Sequence, residues 1–131
     1  MRRLLAALAL TLGCTTPAAA GHPMAAPVVT IDAASLQRLA ATGRPIAVID
    51  LRPVQAYADG RLPGAQSIPL EFLVPRRGEV PGDVLVVLYG TASVDEVAAA
   101  YRYLRMSGHT QVFVLEDGFA GWQSRGYGVE R

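Results

Sequence analysis

Only a few residues in this chain could carry sulfur, imidazole or hydroxyl chemistry. The single cysteine is Cys14, and the two histidines are His22 and His109. Cys14 closes the stretch Leu10-Thr11-Leu12-Gly13-Cys14, which has the pattern of a bacterial lipobox, with Thr11 and Leu12 at its permissive positions. A leader cut after Ala20 discards this cysteine, and a cut before Cys14 commits its sulfur to a thioether with lipid. Either way no thiol is left to act as nucleophile, disulfide partner or metal ligand. The hydroxyls of Thr91 and Ser93 are the next candidates, and a hydrolase built on either needs a base beside it. His109 follows a helix expected to stop at Gly108, at the far end of the fold from those hydroxyls. Ser93 is therefore read as a helix cap. His22 could hold copper weakly near a new N-terminus, but Pro23 removes a backbone N–H that such sites use. No metal and no cofactor are expected. Asp50 and Arg52 end an apolar run, where open α/β sheets place their sites. They can equally serve the fold, Asp50 by accepting backbone N–H groups and Arg52 by pairing with a carboxylate.

Placing these groups falls to alternating strands and helices. Residues 28–31 are a short β-branched run, and Asp32 can cap a helix over 33–41 that turns Leu36 and Leu39 inward and stops at Gly43. Residues 46–49 form a continuous apolar run, as in a parallel strand buried on both faces. A short helix over 54–57 follows, then turns at Asp59-Gly60 and Pro63-Gly64, a helical turn over 69–72 and a polar surface loop over 76–83. Residues 84–89 are the most apolar run after the leader and are assigned to the middle of the sheet. Ser93-Val94-Asp95-Glu96 is a capping box, and it predicts one helix over 94–106 with Val97, Ala100, Tyr101 and Leu104 facing inward. A strand over 111–115 and a last helix over 119–124 carrying Trp122 complete the pattern. Phe119 and Trp122 are read as core anchors, and of Tyr101 and Tyr103 one is expected in the core and the other at the surface. The expected fold class is α/β, a three-layer open parallel sheet of about five strands.

A chain of 131 residues with a net charge of +1 has room for one domain of about 100 residues after its leader. Arg2 and Arg3, the apolar stretch from Leu4 to Leu12, and Ala18-Ala19-Ala20 predict a signal peptide over 1–20, or a lipoprotein signal over 1–13. Residues 21–27 read as a tether and 28–131 as the folded domain. The expected location is the cell envelope: exported, periplasmic, with a membrane contact only through lipid on Cys14. Every basic side chain is Arg, and the twelve are scattered without a basic stripe, so nucleic acid is not an expected partner.

Four segments together resemble the rhodanese-like domain family and span almost everything after residue 28. Val48-Ile49-Asp50-Leu51-Arg52 is similar to its first signature. Gly60-Arg61-Leu62-Pro63-Gly64-Ala65 is similar to its Gly-His-Ile-Pro-Gly-Ala turn, and Leu115 to Trp122 resembles its closing Leu-x-Gly-Gly-Phe-x-x-Trp, keeping Gly118 but with Asp117 at the first glycine. In active members the central strand ends in a cysteine. Backbone N–H groups of the following loop converge on its sulfur and on the substrate's oxyanion. Here Tyr89 is followed by Gly90, so the resemblance implies that the nucleophile's position has no side chain. Counting back from Gly108 would place Thr91 there instead, and neither alignment supplies a thiol. The loop Gly90, Thr91, Ala92, Ser93 also lacks an Arg to hold thiosulfate, while Asp95 and Glu96 already complement the helix dipole.

The function expected is a catalytically inactive rhodanese-like module, binding an unknown protein or small ligand through residues 90–93. Two alternatives stand beside it: an enzyme using Ser93 or Thr91, and an envelope lipoprotein with a purely structural role. If the loop keeps its N–H donors, Gly90→Cys is expected to restore sulfur acceptance.

Overall fold

The computed structural model describes residues 27–131; the expected signal peptide over 1–20 or 1–13, Cys14 and His22 lie outside the described residues. Five strands, β1 (Thr30–Ile31), β2 (Ile46–Asp50), β3 (Gln66–Ser67), β4 (Leu85–Tyr89) and β5 (Val112–Leu115), alternate with four helices. These are α1 (Ala33–Ala41), α2 (Val54–Asp59), α3 (Ala98–Met106) and α4 (Gly118–Ser124). The strands form one parallel sheet in the order β1-β5-β4-β2-β3. The apolar run 84–89 is thus central, and every residue of β4 is buried.

The pleat of β4 divides the core in two, because successive side chains leave a strand on opposite faces. Leu85, Val87 and Tyr89 join Ala33 and Leu36 of α1 and Trp122 of α4 in one cluster. Val86 and Leu88 meet Val97 and the α3 residues Ala100, Tyr101 and Leu104 in the other. Tyr101 is the core tyrosine of its helix, whereas Tyr103 is only partly buried. A sheet sandwiched in this way sends its loops to two ends. The loops after β2 and β4 share the end at which Asp50 and Tyr89 lie side by side.

Asp32 caps α1 by accepting the Ser35 N–H at 2.7 Å, and Gly43 beyond its end takes a left-handed φ of 77°. The expectation of one helix over 94–106 is corrected. Val94–Glu96 is a separate 3-10 turn, and α3 starts only at Ala98, after Val97 at φ −117° and ψ 3°. The Val97 N–H bonds Val94 three residues back at 3.1 Å, so the first turn winds tightly while the Glu96 side chain reaches back over the preceding loop. The strand at 28–31 shortens to Thr30–Ile31, in register with Val114 and Leu115 of β5, with the Val29 carbonyl accepting the Val114 N–H at 3.0 Å just before it. The loop over 76–83 holds a 3-10 turn at Arg77–Glu79 and is pinned by the buried Val80.

Candidate functional site

Asp50 closes β2 beneath the site, and with Arg52 it forms the only buried charged pair among the described residues, at 0% and 6% exposure. Arg52 Nε donates to Asp50 Oδ1 at 3.0 Å and Nη2 to Oδ2 at 2.7 Å, a two-pronged pairing. The Arg52 backbone N–H adds a bond to Oδ1 at 2.9 Å. Tyr89 donates its hydroxyl to Asp50 Oδ2 at 2.6 Å and accepts the Leu62 N–H at 3.2 Å. Burial, reinforced by the bond to Asp50, pushes the Tyr89 pKa up, so its hydroxyl stays protonated and donating. Arg52 Nη2 also reaches the Gly60 carbonyl at 2.6 Å, and its guanidinium lies 4.0 Å from the Phe119 ring centroid. The knot thus ties β2, β4, the turn at residues 60–65 and α4 together.

The other signature residues hold the frame. Gly64 adopts a left-handed φ of 72° in the turn that brings Leu62 and Ala65 into the core, while Pro63 is exposed. Trp122 is buried and donates its indole N–H to the Gly128 carbonyl at 2.8 Å. Asp117, which stands where the resemblance has a glycine, takes a left-handed φ of 58°; Asp is among the few residues that adopt this without large strain, and Arg125 Nη2 pairs with it at 3.2 Å.

The loop after β4 is built against the start of α4. Two N–H groups that a helix N-terminus leaves free, those of Phe119 and Ala120, donate to the carbonyls of Gly90 at 2.9 Å and Thr91 at 2.8 Å. This contact requires Gly118. At its φ of 54° a Cβ would lie 2.6 Å from the Gly90 oxygen and 2.8 Å from the Ala92 nitrogen. Because the C=O and N–H of a planar trans peptide point in opposite directions, the N–H groups of Thr91 and Ala92 face away from α4. Together with that of Ser93 they converge on one carboxylate: Glu96 accepts from Thr91 at 3.1 Å, Ala92 at 3.0 Å and Ser93 at 2.8 Å. The Ser93 N–H first, and those of Ala92 and Thr91 after it, hold the Glu96 pKa below its ordinary range against the opposing effect of burial.

Glu96 also covers Gly90. A Cβ built on Gly90 would lie 3.1 Å from Glu96 Oε2 and 3.1 Å from Val97 Cγ1. Beside it opens a cavity of about 260 Å³ whose lining includes Pro53, Leu70, Glu71, Gly90, Glu96 and Val97.

Ser93 is spent as the cap, its Oγ accepting the Asp95 N–H at 3.1 Å. His109 lies at the opposite end of the sheet, with Nε2 at 3.2 Å from the Val80 carbonyl, and no other histidine is among the described residues. Neither hydroxyl of the loop therefore has an imidazole base within reach. Among the described residues no group of three His, Cys, Asp or Glu side chains is arranged for a metal ion, and no helix is long and apolar enough to cross a membrane. Two participants escape the sequence reading. Tyr89 reads there only as the last residue of a strand, and the capping box links Glu96 to one N–H without revealing the other two.

Residues 32–125 match the family described as the Rhodanese-like domain. The chain belongs to this family. Its curated relatives include the HTH-type transcriptional regulator Rv0324 of Mycobacterium tuberculosis, 33% identical over 86% of this chain and 49% of the regulator. The rhodanese-like chain thus spans about half the length of that relative. A sulfurtransferase of Allochromatium vinosum is 29% identical over 73% of this chain and 89% of its own length. Among solved structures, the Alr3790 protein of Anabaena superposes with a TM-score of 0.70 at 29% identity, covering 76% of this chain and 79% of that one. The five-stranded parallel α/β sheet is the rhodanese fold shared with such neighbours.

Proposed function

We propose that this rhodanese-like chain does not transfer sulfur and instead serves in the cell envelope as a binding module, working through the surface around Gly90, Thr91, Ala92 and Ser93. The observation that carries this reading is the Glu96 carboxylate, bonded to the N–H groups of Thr91, Ala92 and Ser93 and seated over a residue without a side chain. Sulfur transfer from thiosulfate requires a thiolate to attack the sulfane sulfur and expel sulfite, and it requires N–H donors free to hold the oxyanion. The loop has no thiol, its N–H groups at Thr91, Ala92 and Ser93 are taken by Glu96, and the only cysteine of the chain is Cys14 in the expected leader. A relative bearing the name sulfurtransferase does not outweigh this chemistry. The envelope location is supported by Arg2, Arg3 and the apolar and small residues that follow them.

The test is intact-mass measurement of the purified chain after incubation with thiosulfate. An unchanged mass is expected. A covalently bound sulfur atom, or conversion of cyanide to thiocyanate at a rate typical of the family, overturns the reading. The part played by Glu96 is checked by Gly90→Cys: its sulfur would press against the carboxylate, so the single variant is expected to stay inert. The double variant Gly90→Cys with Glu96→Ala is expected to accept sulfur. Equal uptake by both variants would mean that the carboxylate does not close the loop. The envelope placement has its own check in Cys14→Ser, which releases the chain from the membrane fraction if lipid is the anchor and changes nothing if cleavage follows Ala20.

A further inference from the structure

The groove beside Gly90 lies between two exposed apolar segments. Of the six large hydrophobic side chains most open to solvent, Val54, Leu70, Phe72 and Val74 belong to the stretches 53–54 and 70–74 whose residues Pro53 and Leu70 line the groove. Stray exposed apolar residues are ordinary, but a concentration of them around a concavity marks a surface that another molecule covers. The segment is held in place. The Leu70 N–H bonds the Leu51 carbonyl at 3.1 Å, Phe72 bonds Pro69 at 2.8 Å, and Leu73 is buried in the core at 2% exposure. Leu70 and Phe72 are therefore presented by an anchored 3-10 turn at Leu70–Phe72, with Val74 just beyond it, at little ordering cost to a binding partner.

Charge selects the occupant. Glu71 and Glu96 both line the groove, and Asp95 is exposed beside Glu96 in the same turn. Glu71 has no ion-pair partner among the described residues. The one cation in the lining, Arg52, is paired with Asp50 at 2.7 Å and bonded to the Gly60 carbonyl at 2.6 Å, so its charge is already offset. An anion entering here meets the carboxylates of Glu71 and Glu96, which no unpaired cation in the lining offsets, whereas a guanidinium or ammonium meets carboxylates flanked by apolar walls. At about 260 Å³ the cavity falls below the usual range for small-molecule pockets and matches one long anchoring side chain.

We infer that this groove docks a protein segment that inserts an Arg or Lys side chain against Glu71 and Glu96 and lays flanking apolar side chains on Val54, Leu70, Phe72 and Val74. The inference rests on reading the site as a binding module and names the partner's chemistry. Its test is fluorescence anisotropy of the full chain with a fluorescein-labelled peptide in which one Arg is flanked by leucines, beside the same peptide with Glu for Arg. The Arg peptide is expected to bind and the Glu peptide not. Glu71→Arg is expected to weaken binding about tenfold, while Asp83→Arg, the same charge change at the opposite end of the sheet, should alter it less than twofold. Leu70→Ser should weaken binding severalfold without touching any charge. Equal losses from the two charge reversals, indifference to Leu70, equal binding of the Glu peptide, or no binding of the Arg peptide would each overturn the inference. None of these results adds sulfur to the protein, so this failure is distinguishable from a failure of the non-catalytic reading, which the thiosulfate experiment alone decides.

Discussion

Two carboxylates near the end of β4 are satisfied in opposite ways. Asp50 is fully buried and is held by a guanidinium, a phenol hydroxyl and one backbone N–H. Glu96 is exposed and is held by three backbone N–H groups without a cation. The buried site needs an opposite charge because desolvation of a lone carboxylate costs far more than hydrogen bonds alone return. The loop needs only dipoles, because water screens and solvates what remains. The first arrangement holds the fold together and the second fills a site; removing partners from each should therefore cost very different amounts.

The largest effect is expected where the buried charge is stranded. Arg52→Ala leaves Asp50 uncompensated and should lower unfolding free energy by about 3–5 kcal/mol in urea titration. A loss below about 1 kcal/mol would mean that water reaches the knot. Next comes Gly118→Ala, which forces a Cβ to 2.6 Å from the Gly90 oxygen. With its left-handed backbone it should cost about 2–3 kcal/mol, and it should perturb the amide resonances of the loop first. Tyr89→Phe keeps the ring but leaves Asp50 Oδ2 and the Leu62 N–H one partner short, at a cost of about 1–2 kcal/mol. An unchanged midpoint would show that the hydroxyl is dispensable.

Smallest of all is Glu96→Gln, about 1 kcal/mol as for loss of a helix cap, with faster hydrogen exchange at Thr91, Ala92 and Ser93 and none at β4. This effect has a pH signature. Since the folded-state pKa of Glu96 lies below its ordinary value of 4.5, its bonds are whole above that pH and are lost as pH falls through the folded-state value. The stability gap between the native chain and Glu96→Gln should therefore narrow below pH 4.5. A gap that widens on acidification would contradict the assignment.

Much of this architecture is legible in the residues. Asp32 and Gly43 bracket α1 because a cap and a left-handed stop are local properties. The run at 84–89 announces a central strand because only a strand covered on both faces can afford so many apolar residues in succession. Where neighbours in space decide, the sequence is silent. Nothing in Ser93-Val94-Asp95-Glu96 shows that α3 begins after a break at Val97, beside a loop held by Glu96 on one side and by α4 on the other.

By itself the sequence determined the alternation of strands and helices, the resemblance to the rhodanese-like family, and the lack of any cysteine beyond Cys14, since all three depend on residue type and spacing along the chain. The tertiary structure alone decided that the N–H groups of Thr91, Ala92 and Ser93 belong to Glu96, and that Tyr89 closes a knot around Asp50 and Arg52. Both depend on how Gly118 lets α4 approach the loop and on how Asp50 and Tyr89 meet across the sheet, contacts between residues distant in sequence that no local pattern encodes.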